Sequence, residues 1–252
     1  MPFLSNQIIT RLHQPPLVDF ISGVVMLIDK PKGWTSFDVV NKLRFKLKHG
    51  LKVKKIKVGH AGTLDPMATG LLLVCTGKLT KEIDLLQAEI KGYTGTMFLG
   101  ATTPTYDAES EPDAFFQTDH ISINDIEKAV AALTGPLQQI PPVYSAIKIE
   151  GKASYELARR GKEVEMKPRP VEIYKFDILN EDRQSMSFYA SCSKGTYIRS
   201  LVYDFGELLN SGAYLNGLRR VSIGEFSVDD ALTVEDASAY IDTVCGVGSE
   251  KI

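Results

Sequence analysis

"GHAGTLDPMATG", residues 59–70, holds one histidine, three glycines, an Asp-Pro pair and a single acid, Asp65, and it has neither the 3.6-residue period of a helix nor the alternation of a strand. Asp followed by Pro is also a good helix start, with Asp as N-cap and Pro at the first helical position, so these residues alone predict a capped helix as readily as a functional turn. The flanks are clearer. "GVVMLIDKPKGWTS", 23–36, reads as a buried strand entering a Pro-Gly loop, "KKIKVG", 54–59, as a second strand delivering the turn, and "LTKEIDLLQA", 79–88, as a short helix.

Working outward, Ser36 is expected to cap a helix running to about His49, with Phe37, Val40, Leu43 or Arg44, and Leu47 on one face and Gly50 at its stop. "GYTGTMFLG" alternates as a strand. Ser122 and Asp125 give a capping-box start to "SINDIEKAVAALTG", which Gly135-Pro136 should end. The Pro-, Gly- and Lys-rich segment of about 136–168 reads as an excursion from the core with one short helix near 153–161. "PVEIYKFDIL" and "SMSFYASCSKG" form a hairpin, "TYIRSLVYDFGELLNSG" a helix, "AYLNGLRRVSIGEF" a strand and "TVEDASAYI" a last short helix. Strands and helices do not alternate as β-α-β units, so the class is α+β around a largely antiparallel sheet.

Composition narrows the function. The chain has 252 residues, 44% of them hydrophobic, enough to bury a substantial core. "VVMLI" and "LLLVC" are its longest aliphatic runs, far below the roughly 20 residues that span a bilayer, and no secretory signal is visible, so a cytoplasmic protein without membrane partner is expected. Cys75, Cys192 and Cys245 are odd in number and without a Cys-x-x-Cys pair, which argues against a disulfide framework or a zinc site. Net charge is −2, but residues 41–57 carry eight Lys or Arg and no acid, while 92–127 carry seven acids and no Lys or Arg. A second basic stretch, 148–175, sets eight cations against five Glu. Blocks of one sign can be plain solvated faces; two of them around a contorted loop point to a polyanion. "GLLLVCTGK" fails as a phosphate-binding loop because six residues separate its glycines and Leu79 stands where Ser or Thr must hold magnesium. No His-Glu-x-x-His, Gly-x-Ser-x-Gly or dinucleotide-binding pattern is present, so hydrolase and oxidoreductase templates find no support.

The segments "LIDKPKGWTSFDVVNKLR", "GHAGTLDPMATGLLLVCTGKLTK", "KGYTGTMFLG", "PPVYSAIKIEGKASYELARRG", "CSKGTYIRSLVYDFG" and "LRRVSIGEF" resemble, in order, the motifs of the bacterial tRNA pseudouridine synthase B (TruB) family, over about residues 23–235. The resemblance implies the pseudouridine synthase fold, a mixed sheet flanked by helices and loops with an RNA-clamping insertion at about 136–168. It implies an isomerase acting on the uridine at position 55 in the T loop of tRNA, without cofactor or metal, and expected to be a monomer. Residues 1–22 would be an N-terminal extension and 236–252 a short tail. The small RNA-binding domain of the PUA type that many relatives append looks absent.

The same resemblance assigns roles. Asp65 becomes the catalytic carboxylate, whether it attacks C1′, attacks the pyrimidine or promotes a glycal. A lone acid suits a mutase, since water and a second carboxylate would favour hydrolysis. Arg199 of "KGTYIRS" would hold that acid ionised, where otherwise it reads as an ordinary helix-surface cation. Tyr93 would stack on the target base and assist proton removal at C5; otherwise it is a core aromatic on a strand. Tyr197 and Leu218 would line the pocket. His60 would contact or replace the flipped nucleotide. Lys81 and the 41–57 cluster would bind phosphates, and Lys30 and Pro31 match the first motif and would support the active-site loop. Leu73 stands where many relatives have Pro, and Ser110 where a Gly is usual.

Overall fold

The computed structural model describes residues 7–145, 147–149, 151–158, 160–161, 164–180, 182 and 185–247. Along the chain these form β1 (Ile8–Ile9), β2 (Val25–Lys30), α1 (Ser36–Gly50), β3 (Val58–His60), β4 (Thr69–Thr76), a 3₁₀ turn (Gly77–Glu82), α2 (Ile83–Ala88), β5 (Lys91–Leu99), β6 (Ala101–Thr102), β7 (Ala114–Phe115) and α3 (Ile123–Ala132). They continue with β8 (Gly135–Gln139), β9 (Lys148–Ile149), β10 (Lys152–Ala153), α4 (Ser154–Ala158), β11 (Arg169–Ile178), β12 (Met186–Cys192), α5 (Ile198–Leu208), β13 (Ala213–Ile223), β14 (Phe226–Ser227), β15 (Leu232–Thr233) and α6 (Val234–Val244). Most pairings are antiparallel; β1 with β2, β4 with β13, and β2 with β15 are parallel, so the expected α+β class with a mixed sheet is what forms. The chain divides into two compact units, Met1–Lys91 with Arg219–Ile252, and Gly92–Leu218.

In the first unit β2 lies between β1 and β4, and the end of β13 pairs β4 through Arg219 and Arg220. Strands β2 and β4 carry unbroken apolar runs, Val25–Ile28 and Leu71–Cys75, because both faces are covered there. Met26, Ile28, Leu72 and Val74 face α1 and α6, packing on Val40, Leu43, Leu47 and Ile241. Val25, Leu27, Leu71 and Leu73 face the other way, onto Leu86, Ile223 and Phe226. The period of two thus splits one hydrophobic run between two cores.

Two expectations are corrected here. The N-cap of α1 is Thr35, which forms a capping box with Asp38, and not Ser36, which lies buried in the first turn. Phe37 is exposed and off the apolar face. Within the segment read as an N-terminal extension, Ile9 and Phe20 are fully buried, β1 pairs β2, and Tyr240 donates to the Pro15 carbonyl at 2.7 Å. The 236–252 tail likewise begins inside α6, whose Ala237 and Ile241 are core. Residues 1–6 and 248–252 of those two segments lie outside the described residues. Among the described residues no helix is long and apolar enough to cross a membrane.

In the second unit the strand order is β5, β12, β11, β8. β12 alternates Met186, Phe188, Ala190 and Cys192 inward, and Phe176 packs edge-on against Phe188 and Phe205. The Ser122–Asp125 capping box starts α3 as expected. The helix ends at Ala132, however, and Gly135-Pro136 opens β8 instead of merely stopping the helix. Pro136 is tolerated there because β8 is the last strand of this order and has one free side. The excursion therefore starts after Gln139, not at 136. Its β9–β10 hairpin leads into α4, which covers Ser154–Ala158 of the helix expected near 153–161. Arg159 and Lys162 of the second basic stretch lie outside the described residues.

Candidate active site

The Asp65 segment is a turn and not a helix start: the Ala68 amide donates to the Asp65 carbonyl at 3.1 Å and the chain enters β4 one residue later. Several bonds from the first unit fix it. The buried Ser36 hydroxyl accepts from the Leu64 amide at 2.9 Å and donates back to the Leu64 carbonyl at 3.3 Å. The Gly33 amide donates to the Pro66 carbonyl at 2.8 Å. Leu64, Met67 and Ala68 are buried, whereas Asp65 between them is half-buried. Apolar anchors on both sides thus hold one carboxylate at a partly open position.

Arg220 joins the two ends of the loop. Only 1% exposed, it donates through Nε to the Leu71 carbonyl at 2.7 Å and through Nη2 to the Gly62 carbonyl at 3.0 Å. Gly70 explains the close approach: its φ of +105° and a Cβ that would sit 2.3 Å from the Arg220 carbonyl oxygen leave room for glycine alone. His60 ends β3, and its Nδ1 is buried without a hydrogen-bond partner among the described residues. Burial, and then the charge of Arg220, hold its pKa below the ordinary value, so the ring is neutral and suited to stacking.

Lys30 is fully buried, its ammonium donating to the Pro31 carbonyl at 3.0 Å and the Trp34 carbonyl at 2.6 Å. It therefore shapes the Pro31–Trp34 turn that carries Gly33. Pro31 is half-buried beside it, and Lys81 is exposed on the 3₁₀ turn.

The second unit carries Tyr93, Tyr197, Arg199 and Leu218. Tyr93 is buried on β5, and Leu218 is half-buried on β13. Tyr197 caps α5, and its backbone is held from both sides by buried Gln139: the Tyr197 amide donates to Oε1 at 2.8 Å and its carbonyl accepts from Nε2 at 3.1 Å. Arg199, two residues further on, is 6% exposed and not a surface cation. It donates to the Thr105 carbonyl at 3.1 Å and lies 3.4 Å from the carboxylate of Asp107, which is fully buried. Asp107 Oδ1 accepts from the Thr105 hydroxyl at 2.6 Å and from the Glu109 amide at 3.0 Å. Ser110, where a glycine is usual, bonds Thr105 Oγ1 at 2.8 Å and joins this network.

Asp107, Arg220 and Gln139 were not singled out from the sequence, and Ser36 was read there only as a helix cap. Asp107 and Arg220 sit beside like charges, Glu109 and Arg219, that mask them; Ser36 and Gln139 had no local signal for these roles, because they depend on partners 28 and 58 residues away.

A family model described as TruB family pseudouridylate synthase (N terminal domain) matches residues 48–198. A tRNA pseudouridine synthase B of Parabacteroides distasonis is 50% identical over 93% of this chain and 100% of its own length. One of Flavobacterium johnsoniae is 50% identical over 86% of this chain and 95% of its own. Among solved structures, an H/ACA RNP bound to a substrate RNA containing 2′-deoxyuridine contains a chain similar with a TM-score of 0.63 and 26% identity. That match covers 92% of this chain and 57% of the solved one.

Proposed function

The chain belongs to the TruB family of pseudouridylate synthases, and from that premise we propose that it converts the uridine at position 55 in the T loop of tRNA to pseudouridine, with Asp65 as the catalytic carboxylate. The observation that carries this reading is the Asp65 turn: bonds from Ser36, Gly33 and Arg220 hold a single half-buried acid in a conformation that no helix requires. Relatives named tRNA pseudouridine synthase B at 50% identity support tRNA as the substrate.

In the reaction the N1–C1′ bond breaks, the uracil turns in place, C5 bonds to C1′, and the C5 proton leaves while N1 regains one. Atoms and electrons balance without a redox or metal partner. The carboxylate of Asp65 stabilises or bonds the electron-poor centre that forms when N1 departs. His60, neutral and ending β3, takes the stacking place of the extruded nucleotide. Arg199 orients the acid and keeps it ionised, Tyr93 stacks on the base and assists proton loss at C5, and Tyr197 and Leu218 shape the base pocket. Lys81 contacts phosphate. The excursion after Gln139 clamps the T arm, and the enzyme works in the cytoplasm as a monomer.

A T-arm hairpin labelled with tritium at C5 of uridine tests the proposal. Tritium release with formation of pseudouridine is expected. Binding without release would make the chain a non-catalytic RNA-binding module, and free uracil would make it a hydrolase.

A further inference from the structure

Consecutive arginines of β13 grip the start of β4 from its two faces. Arg220, on one face, bonds the Leu71 and Gly62 carbonyls. Arg219 pairs in register with Thr69 and points to the other face, since successive side chains of a strand alternate. There its guanidinium meets the carboxylate of Asp29 as a fork, Nη1 to Oδ1 at 3.0 Å and Nη2 to Oδ2 at 2.7 Å. Nη1 also donates to the Thr69 hydroxyl at 3.4 Å. Because β4 lies between β2 and β13, the pair forms a strap across the first residues of β4.

The strap joins both supports of the Asp65 turn. Thr69 follows Ala68, whose amide closes the turn on the Asp65 carbonyl. Asp29 is the penultimate residue of β2, which runs through Lys30 into the Pro31–Trp34 turn and the Gly33 amide that holds the Pro66 carbonyl. A slide of β2 against β4 would shift Gly33 and Pro66 relative to Thr69, and the carboxylate of Asp65 with them.

Stability does not account for this pair. The two side chains are 39% and 30% exposed, and an ion pair so open to water is screened and adds little to the folded state. What a planar fork supplies is direction, because two parallel bonds fix distance and angle together. The Lys46–Asp242 pair of the same unit is exposed to a similar degree but is a single contact, and it joins α1 to α6 instead of the supports of the turn.

We propose that Arg219 and Asp29 are positioning residues for the reaction: their strap sets the carboxylate of Asp65 against the target nucleotide, and neither side chain touches RNA. The inference rests on the reading of the chain as an RNA-modifying synthase that works through Asp65.

The test is single-turnover conversion of the T-arm hairpin by excess enzyme, with hairpin affinity and Tm measured on the same proteins: wild type, Arg219→Gln, Arg219→Lys, Asp29→Asn, the double variant Asp29→Asn/Arg219→Gln, and Asp242→Asn as control. Misplacing a catalytic group by about 1 Å costs about 100-fold, so each single variant of the strap should slow conversion by about 10- to 100-fold. Arg219→Lys keeps the charge and loses the fork, so its rate should lie closer to that of Arg219→Gln than to that of the wild type. Affinity should stay within about threefold of wild type, with an unchanged salt slope. Two residues acting as one strap are not additive, so the double variant should convert within about threefold of the slower single variant. Asp242→Asn breaks a pair of similar exposure and should convert at the wild-type rate. An affinity loss with a flatter salt slope would make Arg219 a phosphate contact, and a lowered Tm at unchanged rate would make the pair structural only. Either result, or additive losses in the double variant, overturns the inference. Asp29→Asn is nearly isosteric and decides the matter alone if the Arg219 variants do not fold. Failure of the underlying reading is distinguishable, since the wild type itself would then form no pseudouridine, and the inference falls with it.

Discussion

Replacing Arg220 by Lys tests how the Asp65 turn is held. The guanidinium reaches the Gly62 carbonyl on one side of the turn and the Leu71 carbonyl on the other, at 3.0 and 2.7 Å, while almost wholly buried. Lysine keeps the charge but lacks the planar fork, so at most one of the two carbonyls retains its donor. A hydrogen bond to a charged group contributes about 1.5–3 kcal/mol, and an orphaned buried acceptor adds to the loss, so about 2 kcal/mol is expected. For a chain of this size that lowers Tm by about 4–8 °C. Loosening the turn by about 1 Å should also reduce kcat on the order of 100-fold. Hairpin affinity should hold within about threefold, because a side chain this buried gives RNA little to touch. Thermal melting, single-turnover pseudouridine formation and equilibrium binding read the three effects separately. A parallel Arg220→Met series isolates charge from geometry: the His60 pKa, lowered by burial and by Arg220, should rise in the Met variant and stay low in the Lys variant, as followed by NMR. A melting temperature and kcat both unchanged in Arg220→Lys would refute the idea that this residue staples the loop.

Gly70→Ala should prevent folding or cost activity outright, because its Cβ would meet Arg220 backbone atoms at 2.3 and 2.7 Å with φ at +105°; a soluble variant of wild-type Tm would contradict this. Asp107→Asn uncouples the buried ion pair with Arg199 and should destabilise by about 3 kcal/mol in urea unfolding, far more than Asp177→Asn, whose partner Lys175 is exposed. The Asp204 carboxyl is raised to about 6, first by burial and then by Glu207. Its folded pKa exceeds the unfolded value of 3.8, so ionisation costs native stability above pH 6 and that cost fades as pH falls toward 4. Asp204→Asn should therefore raise Tm most at pH 8 and progressively less below pH 6, and a gain that grows on acidification would contradict the assignment.

Local signals carried much of the fold. The capping box at Ser122 and Asp125 and the hairpin of β11 with β12 are recognisable from neighbouring residues, and both appear as read. What sequence left open were choices between two locally sound options. Thr35 and Ser36 are both good caps, and the one with Asp38 three residues on won, which freed Ser36 to grip Leu64. Asp65-Pro66 suits a helix start, but the chain enters β4 too soon for a helix to propagate. Gly135-Pro136 reads as a stop until a free sheet edge makes it a strand. The first twenty residues lack a motif, yet Ile9 and Phe20 find core positions through pairing that no local pattern encodes. Motif resemblance alone nominated Asp65, Tyr93 and Arg199 for the proposed site. Asp107 and Arg220 act across 92 and 158 residues of chain, and nothing in their neighbourhoods announces the partner.

The most direct test of the account is the product formed by Asp65→Asn. The change keeps size and most polar contacts while removing the carboxylate charge, so nucleoside analysis of a T-arm RNA should show no pseudouridine, with hairpin affinity within a few fold of wild type. Pseudouridine formed at a rate near that of the wild type would show that the reaction does not run through this carboxylate.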